Sequence, residues 1–281
     1  MEGKEKDKET KRTNGTRAKK GKKSSKKSSR SKSRKKWKTR KIINIVVSVI
    51  FFLALLGWLS PATFNKLKSL VGADDLPFVT SSDYHGIDVS KHQGKIDWPT
   101  VAKDKDIQFV YIKATEGRAL IDKRYRTNIS QARKAGLKVG SYHFFTSNRT
   151  AREQFENFRR NVRRNEQDLI PMIDIEESGC RGASRAQLQK SLSELIDLMY
   201  AEYGKYPLIY SQYRFYNEKL APEFNKYFIF MARYSASEPV LRGVGKHNIW
   251  QYTEKGKIKG IKGHVDLDRF VNGTSFKDIK L

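Results

Sequence analysis

Leu169-Ile170-Pro171-Met172-Ile173-Asp174-Ile175-Glu176 is an apolar run that ends in two acids separated by one residue. In a strand, side chains alternate between faces, so Asp174 and Glu176 emerge together at its end while Ile173 and Ile175 take the other face. Neighbouring carboxyls push their pKa values apart, which lets one stay protonated while the other is charged. That pairing suits the cleavage of a glycosidic bond, where one carboxyl protonates the leaving oxygen and the other stabilises or attacks the sugar cation. An isolated Asp-x-Glu also describes a strand running out into a polar loop, so its meaning depends on the flanking chain.

Outward from this run, short apolar segments recur at 85–89, 109–114, 137–145 and 207–210. Helical patterns lie between them: a short one after Trp98, then 127–135, 150–164 and a long one at 184–203. Thr150 with Glu153, and Ser184 with Gln187, have the spacing of capping boxes at helix starts. Alternation of this kind implies parallel strands wrapped by helices. After Tyr210 the rhythm changes. Strand candidates at 227–232, 248–252 and 264–267 are separated by gaps rich in Gly and Pro, and the last gap, glycine-broken, reads as a hairpin rather than a crossover. Eight strands, five followed by helices and three not, predict an α/β fold: an irregular (β/α)5(β)3 TIM-like barrel over residues 84–281.

In a parallel barrel the chemistry collects where the strands end. The expected ends offer Asp88, Glu116, Tyr142 with His143, Asp174 with Glu176, Tyr210, Arg233, Gln251 with Tyr252, and Asp266 with Asp268. Acids interleaved with aromatics describe a carbohydrate site, since carboxylates move protons and aromatic faces stack on pyranose rings. Trp250 reads as a packing residue, His143 as a hydrogen-bonded wall residue, and Arg233 as a neutraliser of buried carboxylates.

Five motifs carry a resemblance. They are His85-Gly86-Ile87-Asp88-Val89-Ser90 with Ile96-Asp97-Trp98, Tyr111-Ile112-Lys113-Ala114-Thr115-Glu116-Gly117, Ala135-Gly136-Leu137-Lys138-Val139-Gly140 with Tyr142-His143-Phe144, Met172-Ile173-Asp174-Ile175-Glu176, and Gly263-His264-Val265-Asp266-Leu267. In this order they resemble glycoside hydrolase family 25, the Chalaropsis-type lysozymes, across Gly86 to Asn272. The resemblance implies an irregular β/α barrel and a muramidase that hydrolyses the β-1,4 bond between N-acetylmuramic acid and N-acetylglucosamine in peptidoglycan. It implies Glu176 as general acid and Asp174 as its partner, with retention by paired carboxylates. Asp88 and Asp266 match two further carboxylates around the site, and Glu116 lies in the family's A-T-E-G motif near the groove. Tyr142 and Tyr210 are expected to touch substrate. Asp268 departs from the family by standing where Asn is common, and Phe215 by falling in a loop where Trp is common. No cofactor and no metal are implied, and the five scattered histidines lack ligand spacing.

Charge divides the chain. Residues 1–41 hold 20 of the 57 basic residues and only 4 of the 30 acidic ones. Rich in Lys, Ser and Arg, this stretch reads as a disordered basic tail. The 18 uncharged residues IINIVVSVIFFLALLGWL, from Ile42 through Leu59, match the hydrocarbon thickness of a bilayer. We therefore expect a signal-anchor helix at 42–60, a spacer at 61–83 and the barrel beyond it. Basic residues before the span put the N-terminus in the cytoplasm and the barrel outside a bacterial cell membrane. Cleavage after a sequence such as Ser60-Pro61-Ala62, with secretion, is the alternative. A membrane neighbour argues against a nucleic-acid arm, so the expected partners are peptidoglycan strands and the bilayer, with a monomeric barrel. The single cysteine, Cys180, excludes an intrachain disulfide.

Overall fold

The computed structural model describes residues 84–281. The basic tail, the apolar span and the spacer expected from the sequence lie outside the described residues. Among the described residues no helix is long and apolar enough to cross a membrane.

Nine strands form one sheet: β1 Gly86–Val89, β2 Phe109–Glu116, β3 Leu120–Ile121, β4 Val139–Phe144, β5 Met172–Asp174, β6 Leu208–Gln212, β7 Ile229–Ala232, β8 Ile249–Gly256 and β9 Val265–Phe270. Going round the sheet, β1, β2, β4, β5, β6, β7 and β8 are parallel neighbours. β9 lies antiparallel between β8 and β1 and closes an eight-stranded cylinder. β3 pairs only with β2, as a hairpin outside the cylinder. Helices follow β1 (α1, Trp98–Val101), the β2–β3 hairpin (α2, Tyr125–Lys134), β4 (α3, Ala151–Asn161), β5 (α4, Arg185–Tyr203) and β6 (α5, Tyr213–Phe215, continuing as the wider turn Tyr216–Leu220). None stands between β7 and β9. The mixed α/β barrel read from the sequence is present, and the expected terminal hairpin is the β8–β9 pair.

Local signals explain the elements. Both capping boxes form: the hydroxyls of Thr150 and Ser184 accept from the amides of Glu153 and Gln187, whose side chains accept the cap amides in return. α4 buries Leu188, Leu192, Leu195, Ile196, Met199 and Tyr203, a spacing that puts all six on one face. It ends at Gly204, whose φ of 72° favours glycine.

Strand alternation sorts the apolar residues into two populations. Phe109, Tyr111, Met172, Leu208, Phe230 and Ile249 fill the cylinder. Val110, Ile112, Ile173, Ile209 and Met231 face outward into the larger core shared with the helices. The interior rings need room: a Cβ on Gly86 would run into the Phe109 ring, and one on Gly140 would lie 2.5 Å from the Tyr111 ring. Ile279 seals the interior from below, where the Ile170 amide donates to its carbonyl at 2.9 Å.

Two boundaries differ from expectation. The run at 169–175 pairs regularly only over Met172–Asp174, because Pro171 has no amide to donate and Leu169 bridges to Lys280 instead. β8 continues past Tyr252 to Gly256, with breaks in register between Gln251 and Thr253 and again before Gly256.

Candidate active site

Six residues singled out from the sequence, Asp88, Tyr142, Asp174, Glu176, Tyr210 and Asp266, line one pocket of about 210 Å³ at the mouth of the cylinder. The parallel strand β5 delivers Asp174 at its C-terminal end and Glu176 just beyond it, while β1, β4 and β6 deliver Asp88, Tyr142 and Tyr210 one or two residues before theirs. Asp266 arrives differently. Because β9 runs the other way, its beginning lies at the mouth, opposite Asp88 in register. Asp268, two residues further on, therefore points into the cylinder below, where it is wholly buried and neither carboxyl oxygen has a hydrogen-bond partner.

A hydrogen-bond hub fixes one side of the pocket. The Gln251 side-chain carbonyl accepts from the hydroxyls of Tyr210 at 2.9 Å and Tyr234 at 2.8 Å. Two donors on the oxygen leave the amide nitrogen only one orientation, toward Asp88, to which it donates at 2.6 Å. On the other side, Glu176 accepts from the Ser178 hydroxyl at 3.3 Å, while Asp174 Oδ1 is buried with no partner. A pocket ringed by carboxyls, with a tyrosine-fixed amide behind one of them and an unpartnered acceptor beside another, matches the strand-end acids of a sugar-cleaving barrel.

The model of glycosyl hydrolases family 25 matches residues 87–261. The chain belongs to glycosyl hydrolases family 25. YegX of Escherichia coli (strain K12) is 38% identical over 194 residues, which span 68% of this chain and 70% of YegX. Lysozyme M1 of Streptomyces globisporus is 31% identical over 214 residues, 72% of each chain. Among solved structures, a family 25 glycosyl hydrolase from Bacillus anthracis superposes with a TM-score of 0.63 at 30% identity, covering 72% of this chain and all of that one.

Electrostatics in this family 25 site favour bound protons. Burial raises Asp88 and Asp174 well above the usual carboxylate range, reinforced for Asp88 by Asp266 and for Asp174 by Glu176. Burial also raises Glu176, but less, since Ser178, Lys113 and Tyr210 stabilise its anion. Asp266 is pushed up to about 6 by burial and by Glu254. General-acid catalysis requires the proton on Glu176 and the charge on Asp174. Asp174 is the more deeply buried of the two, 7% exposed and partnerless at Oδ1, and burial raises the pKa of both members of the pair.

The remaining expected residues fall elsewhere. Glu116 does not line the pocket. Its carboxylate pairs with Lys113 at 2.8 Å, and Lys113 in turn sits 4.4 Å over the Phe144 ring and supplies the positive charge felt by Asp174 and Glu176. Arg233 turns out to the Tyr213 ring and the Glu238 carbonyl. His143 is buried behind β4, bonded to Thr115 at 2.8 Å and Gln154 at 3.2 Å, and burial holds it neutral at about 4. Trp250 packs in the outer core and donates to the Arg233 carbonyl.

Two pocket residues escaped the sequence reading, Tyr234 and Glu254. Tyr234 follows Arg233 just after β7, so a signal stood one residue from the position chosen. Glu254 reaches the pocket across the register breaks in β8, which strict alternation does not reveal.

Proposed function

We propose that this family 25 domain is a muramidase that hydrolyses the β-1,4 bond between N-acetylmuramic acid and N-acetylglucosamine of peptidoglycan, with Glu176 and Asp174 as its catalytic pair. The observation that carries the reading is the delivery of both acids from the end of β5 into one pocket whose environment raises their pKa values. The Glu176 proton passes to the glycosidic oxygen as the bond from that oxygen to C1 breaks. Asp174 stabilises the positive charge that develops at C1, or accepts the N–H of the substrate's acetamido group so that its carbonyl oxygen attacks C1. Water then adds to C1 and gives a proton back to Glu176, restoring the acid and retaining the anomeric configuration.

The unpartnered Oδ1 of Asp174 suits the acetamido N–H as a donor. Filling it would stabilise the Asp174 anion, while the sugar excludes water from Glu176. Both changes favour a charged Asp174 beside a protonated Glu176, the state in which the acid can donate. Asp88, Asp266, Tyr142 and Tyr210 hold the sugar around this pair. Mass analysis of fragments released from purified peptidoglycan tests the reading: a new reducing end on muramic acid is expected, and fragments ending in reducing glucosamine would refute it.

The uncharged residues 42–59, preceded by the basic tail, support a further part of the proposal, an uncleaved anchor that tethers the barrel to the outer face of the bacterial membrane. Fractionation checks it. Recovery mainly in the culture medium would favour cleavage and secretion.

A further inference from the structure

A second pocket, of about 360 Å³, lies between the loop after β4 and the start of α4. Its walls are tied to the catalytic strand ends: the Phe145 amide donates to the Asp174 carbonyl at 2.8 Å, and the Ser147 amide to the Gly179 carbonyl at 2.9 Å. Arg181 lies further along the same short loop that begins with Glu176, and the thiol of its neighbour Cys180 is raised to about 12 by burial and by the charges of Asp174 and Glu176. The loop after β5 thus contributes Glu176 to the catalytic pocket and Arg181 to the second one.

Their chemistry is opposite. Five carboxyls line the catalytic pocket, Asp88, Asp174, Glu176, Glu254 and Asp266. The second pocket has no acid in its lining and one cation, the exposed Arg181, which makes no hydrogen bond or ion pair with another described residue. Ser147, Asn148 and Ser191 add donors, and Gln187 adds another. Its carbonyl oxygen accepts from Ser184, which leaves the side-chain nitrogen free.

We infer that this second pocket binds a carboxylate of the short peptide borne on the lactyl group of the muramyl sugar, an inference that rests on the muramidase reading. A peptidoglycan strand combines nearly neutral sugars with acidic peptide substituents. The catalytic pocket has no cation in its lining to receive those carboxylates, whereas the donor-lined pocket built on the same loop, with its free guanidinium, accepts them through charge-assisted hydrogen bonds. Arg181 thus selects peptide-substituted glycan over bare glycan without touching the bond that breaks.

The test compares full-length wild type with Arg181→Ala and Arg181→Lys on peptidoglycan glycan strands that carry peptides and on the same strands stripped by an amidase. For Arg181→Ala, KM on peptide-bearing strands should rise about tenfold with kcat unchanged, and kinetics on stripped strands should stay at the wild-type level. Arg181→Lys should recover part of the loss. Equal effects on both substrates, or no effect on either, would overturn the inference. Calorimetric binding of a soluble disaccharide-peptide to the wild type and Arg181→Ala separates this outcome from failure of the muramidase reading. If the wild type hydrolyses neither substrate, that reading falls, and an unchanged Kd in Arg181→Ala overturns the peptide site as well.

Discussion

The two sides of the barrel reach the same pocket by different means. From β1 to β6 the strands of the cylinder are parallel, a helix intervenes between each and the next, and Asp88, Tyr142, Asp174 and Tyr210 arrive at or within two residues of C-terminal strand ends. From β7 to β9 there are no helices, β9 runs backward, and β8 is broken in register. There the outer surface is sealed by side chains: the Arg269 guanidinium lies 4.2 Å from the Tyr252 ring centre and 5.0 Å from that of Trp250. The clad side carries the catalytic pair on a regular scaffold. The bare side carries the groups that orient and tune it, Gln251, Tyr234, Glu254 and Asp266.

If the clad side holds the chemistry, Glu176→Gln should cost the most. Turnover on peptidoglycan should fall about a thousandfold, the scale of a general acid, with the thermal transition unchanged. An equal loss from Asp266→Asn would erase the distinction between the sides. Gln251→Ala probes the orienting role of the bare side. It frees Asp88 and strands two tyrosine hydroxyls, so kcat should drop about tenfold to a hundredfold, and retention of full kcat would show that the hub is not needed.

Smaller effects fall on stability. Arg269→Ala unseats the stack over Trp250 and Tyr252, and denaturant melts should show a loss of about 1 to 2 kcal/mol, with kcat/KM on peptidoglycan preserved. Asp268→Asn removes a buried carboxyl that has no partner, and should gain about 1 kcal/mol at neutral pH. The sign follows from its pKa, which burial, Asp88 and Asp266 hold well above the usual carboxylate range. The unfolded carboxyl ionises near pH 4 while the folded one keeps its proton, so the native side chain destabilises increasingly as pH rises past that point. The Asn variant's advantage should therefore be absent below about pH 4 and grow above it, as melts across pH would reveal.

The same division explains what the sequence discloses. On the clad side local rules suffice: Asp174-Ile175-Glu176 obeys strand alternation, and the caps at Thr150 and Ser184 mark where α3 and α4 begin. Glu116 misleads even there, because its partner Lys113 holds its carboxylate away from the pocket, a contact that spacing alone does not specify. On the bare side Asp266 is legible both as a strand-end acid and through its motif, but not the way it reaches the mouth. Its place at the mouth depends on the reversal of β9, and the same reversal sends Asp268 into the interior. Glu254 depends on breaks in register, which arise from how β8 meets β9 and leave no local mark. The rise in both acids' pKa values comes from burial, a property of the finished fold.

The seating of β9 between β8 and β1 links enzyme assembly to the order of synthesis. Asp88 is made with the first strand and Asp266 with the last, yet they end opposite each other in register. A nascent chain lacking β9 presents an open sheet with two raw edges and an incomplete ring of acids. Hydrolytic competence therefore switches on only when translation of the domain is nearly finished, and a truncated product is expected to be inert rather than partly active.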